Sequence, residues 1–406
     1  MTLVASVKRE ATALWADGKG RSLAVIAGVW GVLLGTRMIY PVLLPYLRET
    51  FGLSLSAAGL LVTVLWLGSA VGQLPGGILA DRYSERSVMA VGAVVVAAAV
   101  LVVVAAPTAA ALFASTALVG LGQSLYPIAR ITILADIYTD RIGSALGVTM
   151  ATGDLGQTVL PPIAGTIAAA VAWQAGLGFV VPLLLLGAAA LWVLVPRTVE
   201  SGGSHAGAAH GSLSESTARR VLAELRRPNL VFTAFIFFLY ILVWQSFTGL
   251  YPTYLVERKG LSSSTASVLF SLFFAAGIVV KPLAGGAYDR IGFRGSLVLA
   301  LSAPTIGFAL LPVVEGTLGL VAVTLLVSTM LGSGAITQSY FSDAFPESVR
   351  GTGLGVVRTA TATLGAAGPV VFGVIADRGY FDEGYWLLAG LVAVVILLTL
   401  RLPTAE

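Results

Sequence analysis

The sequence predicts an all-α integral membrane protein, with twelve transmembrane helices in two parallel six-helix bundles and both termini in the cytoplasm. Three observations lead there. Apolar runs as long as a bilayer is thick recur along the chain. Lys and Arg are distributed unevenly between alternate connecting segments. The second half repeats the first at one fixed offset.

The runs set the class. Residues are 57% hydrophobic and only 11% charged, whereas a soluble domain carries roughly 25% charged residues. So few charges cannot build a water-facing surface. Segments 22–36, 87–106, 177–196, 317–331 and 385–400 hold almost no ionisable group. A span needs roughly 20 mostly apolar residues, and in lipid the backbone must satisfy its own hydrogen bonds, so each run is read as a helix. Spans are predicted at 22–46, 57–80, 87–106, 109–136, 143–170, 176–196, 230–251, 263–287, 295–313, 317–341, 350–374 and 384–402.

The least apolar stretch, 197–228, divides them six and six. It opens as a Gly/Ser-rich linker and ends as a short basic amphipathic helix, with Ser212 and Glu215 at capping-box spacing. The expected organisation is a cytoplasmic segment 1–21, a bundle 22–196, the linker 197–228, a bundle 229–402 and a tail 403–406.

Orientation follows from the cations. With both termini inside, sixteen of the 24 Lys and Arg residues fall in cytoplasmic segments, and only Arg48, Arg258, Lys259 and Arg378 fall outside. That asymmetry decides the topology by the positive-inside rule. The N-terminus lacks a signal-peptide layout, because Lys8 and Arg9 are followed by Glu10 and Asp17 and no small-residue cleavage site follows a short apolar core.

The repeat relates the halves. At an offset of 208 residues, Tyr46, Leu47 and Glu49 meet Tyr254, Leu255 and Glu257, and the Gly-Leu-Ser of 52–54 meets that of 260–262. Further on, Gly77, Asp81, Arg82 and Arg86 meet Gly285, Asp289, Arg290 and Arg294, while Pro161 and Gly165 meet Pro369 and Gly373. An even number of spans per repeat gives both halves the same orientation, related by an axis along the membrane normal.

Several chemistries are excluded. Without cysteine there is no disulfide, thiol catalysis or thiolate metal site. The only histidines, His205 and His210, lie in the linker, so no metal site and no intramembrane relay is expected. No cofactor, nucleic-acid surface or phosphate loop is read, and an enzyme is not expected; the Gly-rich 120–125 stretch lies inside a span.

The segments Gly77-Ile-Leu-Ala-Asp81-Arg82-Tyr-Ser-Glu-Arg86 and Gly285-Gly-Ala-Tyr-Asp289-Arg290-Ile-Gly-Phe-Arg294 resemble the G-x-L-a-D-R-x-G-R-R loop of the major facilitator superfamily. The first copy has Ser84 where Gly is usual and Glu85 where a base is usual; the second keeps Gly292 but has Phe293 at the basic position. The resemblance implies the family's fold and rocker-switch alternating access, with these residues as a gate. Asp81 is expected to face the helix starting near Gly351, and Asp289 the one starting near Gly143, as helix-dipole partners. Asp136 resembles the acidic partner of Arg82. The fifth span, with Gly156 and Pro161, resembles the Gly-Pro motif of proton-coupled antiporters, and the eleventh keeps Gly368-Pro369. Close packing with a helix bend is the other reading of both.

Charges within spans mark the candidate site, since a charge at mid-membrane costs roughly 2.5–3.5 kcal/mol on insertion scales and such residues face a cavity. Arg37, Arg130, Asp154, Lys281 and Arg358 qualify. Arg37 is read as an anion contact, with an internal pair to Asp154 as the alternative; Arg358 is read like it. Gln245, the repeat mate of Arg37, joins Tyr40 and Trp244 as candidate substrate contacts. Gln73 and its mate Lys281 are assigned to the cavity or gate, and Arg130 to the gate. Asp154, the deepest acid, is the candidate proton carrier, with a static salt bridge as its alternative.

Four buried bases against one deep acid favour a secondary transporter of a small organic anion, with proton coupling open. The alternatives are a proton-coupled efflux antiporter for hydrophobic compounds and, further off, a membrane sensor. The expected setting is a monomer in a prokaryotic plasma membrane, with the solute, lipid and possible coupling protons as partners.

Overall fold

The computed structural model describes residues 14–15, 18–196, 227–346 and 350–402. Most of the linker with Ser212 and Glu215, most of the N-terminal segment, the tail and the Asp81 side chain lie outside what is described. The helices are α1 (Lys19–Phe51), α2 (Leu55–Val71), α3 (Gln73–Tyr83), α4 (Glu85–Val104), α5 (Ala109–Ser124), α6 (Tyr126–Ile137), α7 (Ile142–Ala170), α8 (Trp173–Gly178) and α9 (Val180–Leu194). The second half adds α10 (Pro228–Glu257), α11 (Ser263–Leu310), α12 (Thr317–Ser328), α13 (Leu331–Ala344), α14 (Arg350–Gly365), α15 (Gly368–Asp377) and α16 (Phe381–Leu400). Among the described residues there is no strand, and nine helical stretches are long and apolar enough to cross a membrane.

The order accommodates the twelve spans, several as broken helices. The second, fourth, sixth, tenth and eleventh are α2–α3, α5–α6, α8–α9, α12–α13 and α14–α15. The eighth and ninth are both contained in α11, which turns at Gly292 (φ 68°, ψ −178°). The repeat mate of Gly292 is Ser84, and it too has positive φ, 156°. This explains why Gly is favoured there, since a Cβ is strained in that region. Ser84 offsets part of the strain as an N-cap: its Oγ accepts from Ser87 N at 3.3 Å.

The repeated Gly-Leu-Ser segments are also turn chemistry. Gly52 and Gly260 end a helix at φ 63° and 65°. Ser54 and Ser262 then cap the next one, accepting from Ala57 N at 3.1 Å and Thr265 N at 3.2 Å.

The chain forms two compact units, Met1–Leu43 with Val64–Gly202, and Leu44–Thr63 with Gly203–Glu406. In the first, α4 packs against α5 and α9. In the second, α11 packs against α12, α13 and α16, and α10 against α14 and α15. The α1–α2 turn, Leu44–Thr63, thus clusters with the second half, although its sequence lies within the first predicted bundle.

Candidate functional site

The first unit carries two arginines within its spans, each laid over a tryptophan. Arg37 on α1 is half-buried. Its Nε donates to Gln123 Oε1 at 2.9 Å and its Nη2 to Ser69 Oγ at 2.5 Å. Its guanidinium carbon lies 4.9 Å from the centre of the Trp66 ring. Gln123 is itself held, its Nε2 donating to the Leu33 carbonyl at 3.0 Å. All these partners are neutral, and among the described residues Arg37 makes no ion pair. The alternative pairing with Asp154 is therefore not what the structure contains. Asp154, half-buried on α7, accepts from Gln157 Nε2 at 3.3 Å among its contacts.

Arg130 on α6 is the second. It is buried, donates to Thr149 Oγ1 and lies 4.4 Å from the centre of the Trp30 ring. Trp30 stacks in turn on Tyr126, whose hydroxyl donates to the Ile26 carbonyl at 2.9 Å. Arg130 is thus built into the packing of α1, α6 and α7. α1 and α7 approach closely because Gly156 faces Gly31: an added Cβ at Gly156 would meet the Gly31 carbonyl oxygen at 1.9 Å. α7 runs on through Pro161 as one helix, so Gly156 serves contact there. In the other half a helix break does fall just before Gly368-Pro369, which open α15.

Other predicted contacts of the first unit divide clearly. Tyr40 is buried, with its hydroxyl beside Thr116 Oγ1 at 3.5 Å, and belongs to the interior. Gln73 donates to the Ser69 carbonyl at 3.3 Å, so Ser69 links Gln73 to Arg37.

In the second unit, Arg358 on α14 is exposed, and its Nη1 reaches Gln338 Oε1 only at 3.5 Å. Gln338 lies, with Thr337, at the repeat position of Arg130. Gln245 is buried; its Nε2 donates to the Ala362 carbonyl at 3.4 Å, while its Oε1 is buried without a hydrogen bond. Trp244 and Lys281 are half-buried.

The loop residues are mostly at the surface. Arg82 and Asp136 are both exposed and form no ion pair among the described residues, and a charged neighbour of Asp136 is Glu85. The expected Arg82–Asp136 partnership is absent from this structure. Gly77 packs beside Ile128. Arg86 lies over Trp192 at 4.7 Å. Asp289 and Arg290 are exposed, Arg294 is half-buried, and Gly285 has open space beside it.

A second polar cluster, not anticipated, closes the α1–α2 turn within the second unit. Asp377, at the end of α15, accepts from the backbone N–H of Leu55 at 2.7 Å and of Ser56 at 2.9 Å. It caps α2 from another part of the chain. Arg48 pairs with Glu257 nearby. The only hint in sequence was an acid beside Arg378 at a span end.

A family model described as Major Facilitator Superfamily matches residues 25–360. This chain belongs to that superfamily. It is a multi-pass membrane transporter. As a major facilitator protein it is 27% identical over 387 residues to the hexuronate transporter of Bacillus subtilis, covering 91% of this chain and 90% of the relative. It is 26% identical to the probable sulfoacetate transporter SauU of Cupriavidus necator, covering 93% and 92%. Among solved structures, a mutant of the nucleoside transporter NupG superposes with a TM-score of 0.81 at 14% identity, covering 93% of this chain and 98% of that one. That likeness concerns the fold.

Proposed function

We propose that the protein is a secondary transporter of a small organic anion carrying a carboxylate or sulfonate, with Arg37 as the principal anion contact. One observation carries the reading: Arg37 is a half-buried cation inside a span whose partners are all neutral. A guanidinium kept in a low-dielectric interior without a counter-charge is costly. An anionic solute would supply that charge, and its oxygens suit the planar donor fork of Arg. Gln123, Ser69 and Trp66 hold the fork in one pose, so little orientation is lost on binding. Arg358, exposed and weakly held, is the second cation of the pathway. The names of the two relatives point the same way, since hexuronate and sulfoacetate are both small anions.

Movement of the solute is by rocker-switch alternating access in a prokaryotic plasma membrane. Asp154, half-buried and the deepest carboxylate within a span, is the candidate carrier of a coupling proton.

The test is uptake by proteoliposomes of a panel of radiolabelled carboxylates and sulfonates, with and without an imposed pH gradient. The wild type should take up at least one, and Arg37→Gln should abolish that uptake while eluting as the same monodisperse species. Transport of every anion unchanged by Arg37→Gln would sink the reading. Flux indifferent to the pH gradient would exclude proton coupling.

A further inference from the structure

We propose that a cleft at one end of the first unit, between the starts of α1 and α4 and the end of α9, binds the phosphate of an anionic lipid. The cleft measures about 350 Å³, and Lys19, Ser22, Arg86, Val193 and Leu194 are among its lining residues. Its two ionisable lining residues are both cations, and neither makes an ion pair among the described residues. The neighbouring acids, Glu85 and Asp136, do not line it.

Arg86 is posed for such a ligand. Its Nη1 donates to the Val195 carbonyl at 3.3 Å, and its face lies 4.7 Å from the Trp192 ring centre. Its Nε is buried without a hydrogen bond, and its Nη2 donates to no described residue. Ser22 Oγ donates to the Leu194 carbonyl at 3.0 Å, so α1 and the end of α9 form a fixed wall.

The surroundings select lipid over a soluble phosphate. Trp192, Val193 and Leu194 are 52%, 76% and 44% exposed, which in a membrane protein is a shoulder for acyl chains beside the cations. The charge bias assigns this end to the cytoplasm, where juxtamembrane cations strengthen binding to anionic lipid by roughly fivefold each.

The experiment uses the purified full-length protein in neutral detergent, titrated with phosphatidylglycerol, phosphatidylcholine or inorganic phosphate, and read by native mass spectrometry and thermal shift. Phosphatidylglycerol should bind and raise Tm, and phosphatidylcholine should do neither. Lys19→Gln with Arg86→Gln should weaken phosphatidylglycerol binding at least tenfold, and Trp192→Ala should weaken it without affecting inorganic phosphate. If the double variant does not fold, Lys19→Gln alone, at an exposed position, should weaken binding severalfold. Equal binding by wild type and Lys19→Gln overturns the proposal. So does inorganic phosphate matching the full lipid shift, which would make this a soluble-anion site. Neither result bears on Arg37.

Discussion

Arg37 and Gln123 form a directed pair: the guanidinium Nε donates to the amide oxygen at 2.9 Å, and the amide nitrogen is tied to the Leu33 carbonyl at 3.0 Å. Gln123 therefore presents its oxygen to α1 in one orientation. Replacing it by Leu leaves the charge but frees its pose. A hydrogen bond to a charged group contributes about 1.5–3 kcal/mol, so Gln123→Leu should raise KM for the transported anion by about tenfold or more. Initial uptake rates against solute concentration read this directly, and an unchanged KM would show that Gln123 does not position Arg37.

Arg37→Lys should not restore transport. The two partners Gln123 and Ser69 and the Trp66 face together use the breadth of a guanidinium, and an ammonium cannot engage all three. Uptake should fall at least tenfold despite the retained charge. Wild-type flux in Arg37→Lys would mean that charge alone is required.

Asp377 should stabilise the described conformation of the α1–α2 turn. Loss of a capping side chain costs about 1 kcal/mol, and a carboxylate facing a helix start adds a dipole contribution. The chain has no cysteine, so one introduced thiol reports cleanly. Thr63→Cys, at a position 4% exposed, should react with a maleimide about fivefold faster when combined with Asp377→Ala. Equal labelling rates would show that Asp377 does not hold this turn.

Gly156→Ala should lower thermal stability. The new methyl would lie 1.9 Å from the Gly31 carbonyl oxygen, which is backbone and cannot rotate away. Overpacking of this kind costs about 1–3 kcal/mol. A melting temperature equal to wild type would mean that α1 and α7 can separate at little cost.

Ser84→Gly and Ser84→Ala should differ in sign. Glycine accepts φ 156° without strain and costs only a few tenths of a kcal/mol as a cap, so it should be neutral or mildly stabilising. Alanine keeps the strained φ and loses the bond to Ser87 N, for a loss of about 1 kcal/mol. Melting curves that rank the two alike would contradict this.

Much of the architecture is legible in the chain because it is local. Apolar length marks spans, and Gly52-Leu-Ser54 with its repeat is a helix stop followed by a cap. Arg37 is legible for a related reason: a cation within an apolar run stands out by itself. Its partners do not. Ser69 and Gln123 lie 32 and 86 residues away, and small polar residues are common in spans, so only helix packing selects them. The Arg37–Asp154 alternative failed on the same ground, since charge complementarity names possible partners without saying which helix faces bring them together. Arg82 and Asp136 were matched by family pattern, which names residue types and not the side-chain positions that would bring them together. Asp377 was hidden because its partners are backbone amides, which every residue carries, and two serine hydroxyls more than 300 residues away.

The Asp377 contact has a consequence for how this transporter tolerates change. The carboxylate grips Leu55 and Ser56 by their main-chain N–H groups, and the Ser54 and Ser56 side chains add to the hold, so part of its receptor is written in the backbone and part in two serines. Substitutions at 55 leave the backbone part of the grip intact unless they introduce proline, whereas replacing Ser54 or Ser56 removes a side-chain contribution. The sequence dependence of the contact then rests on the carboxylate and two small hydroxyls, and position 55 can drift through evolution while the main-chain grip is kept.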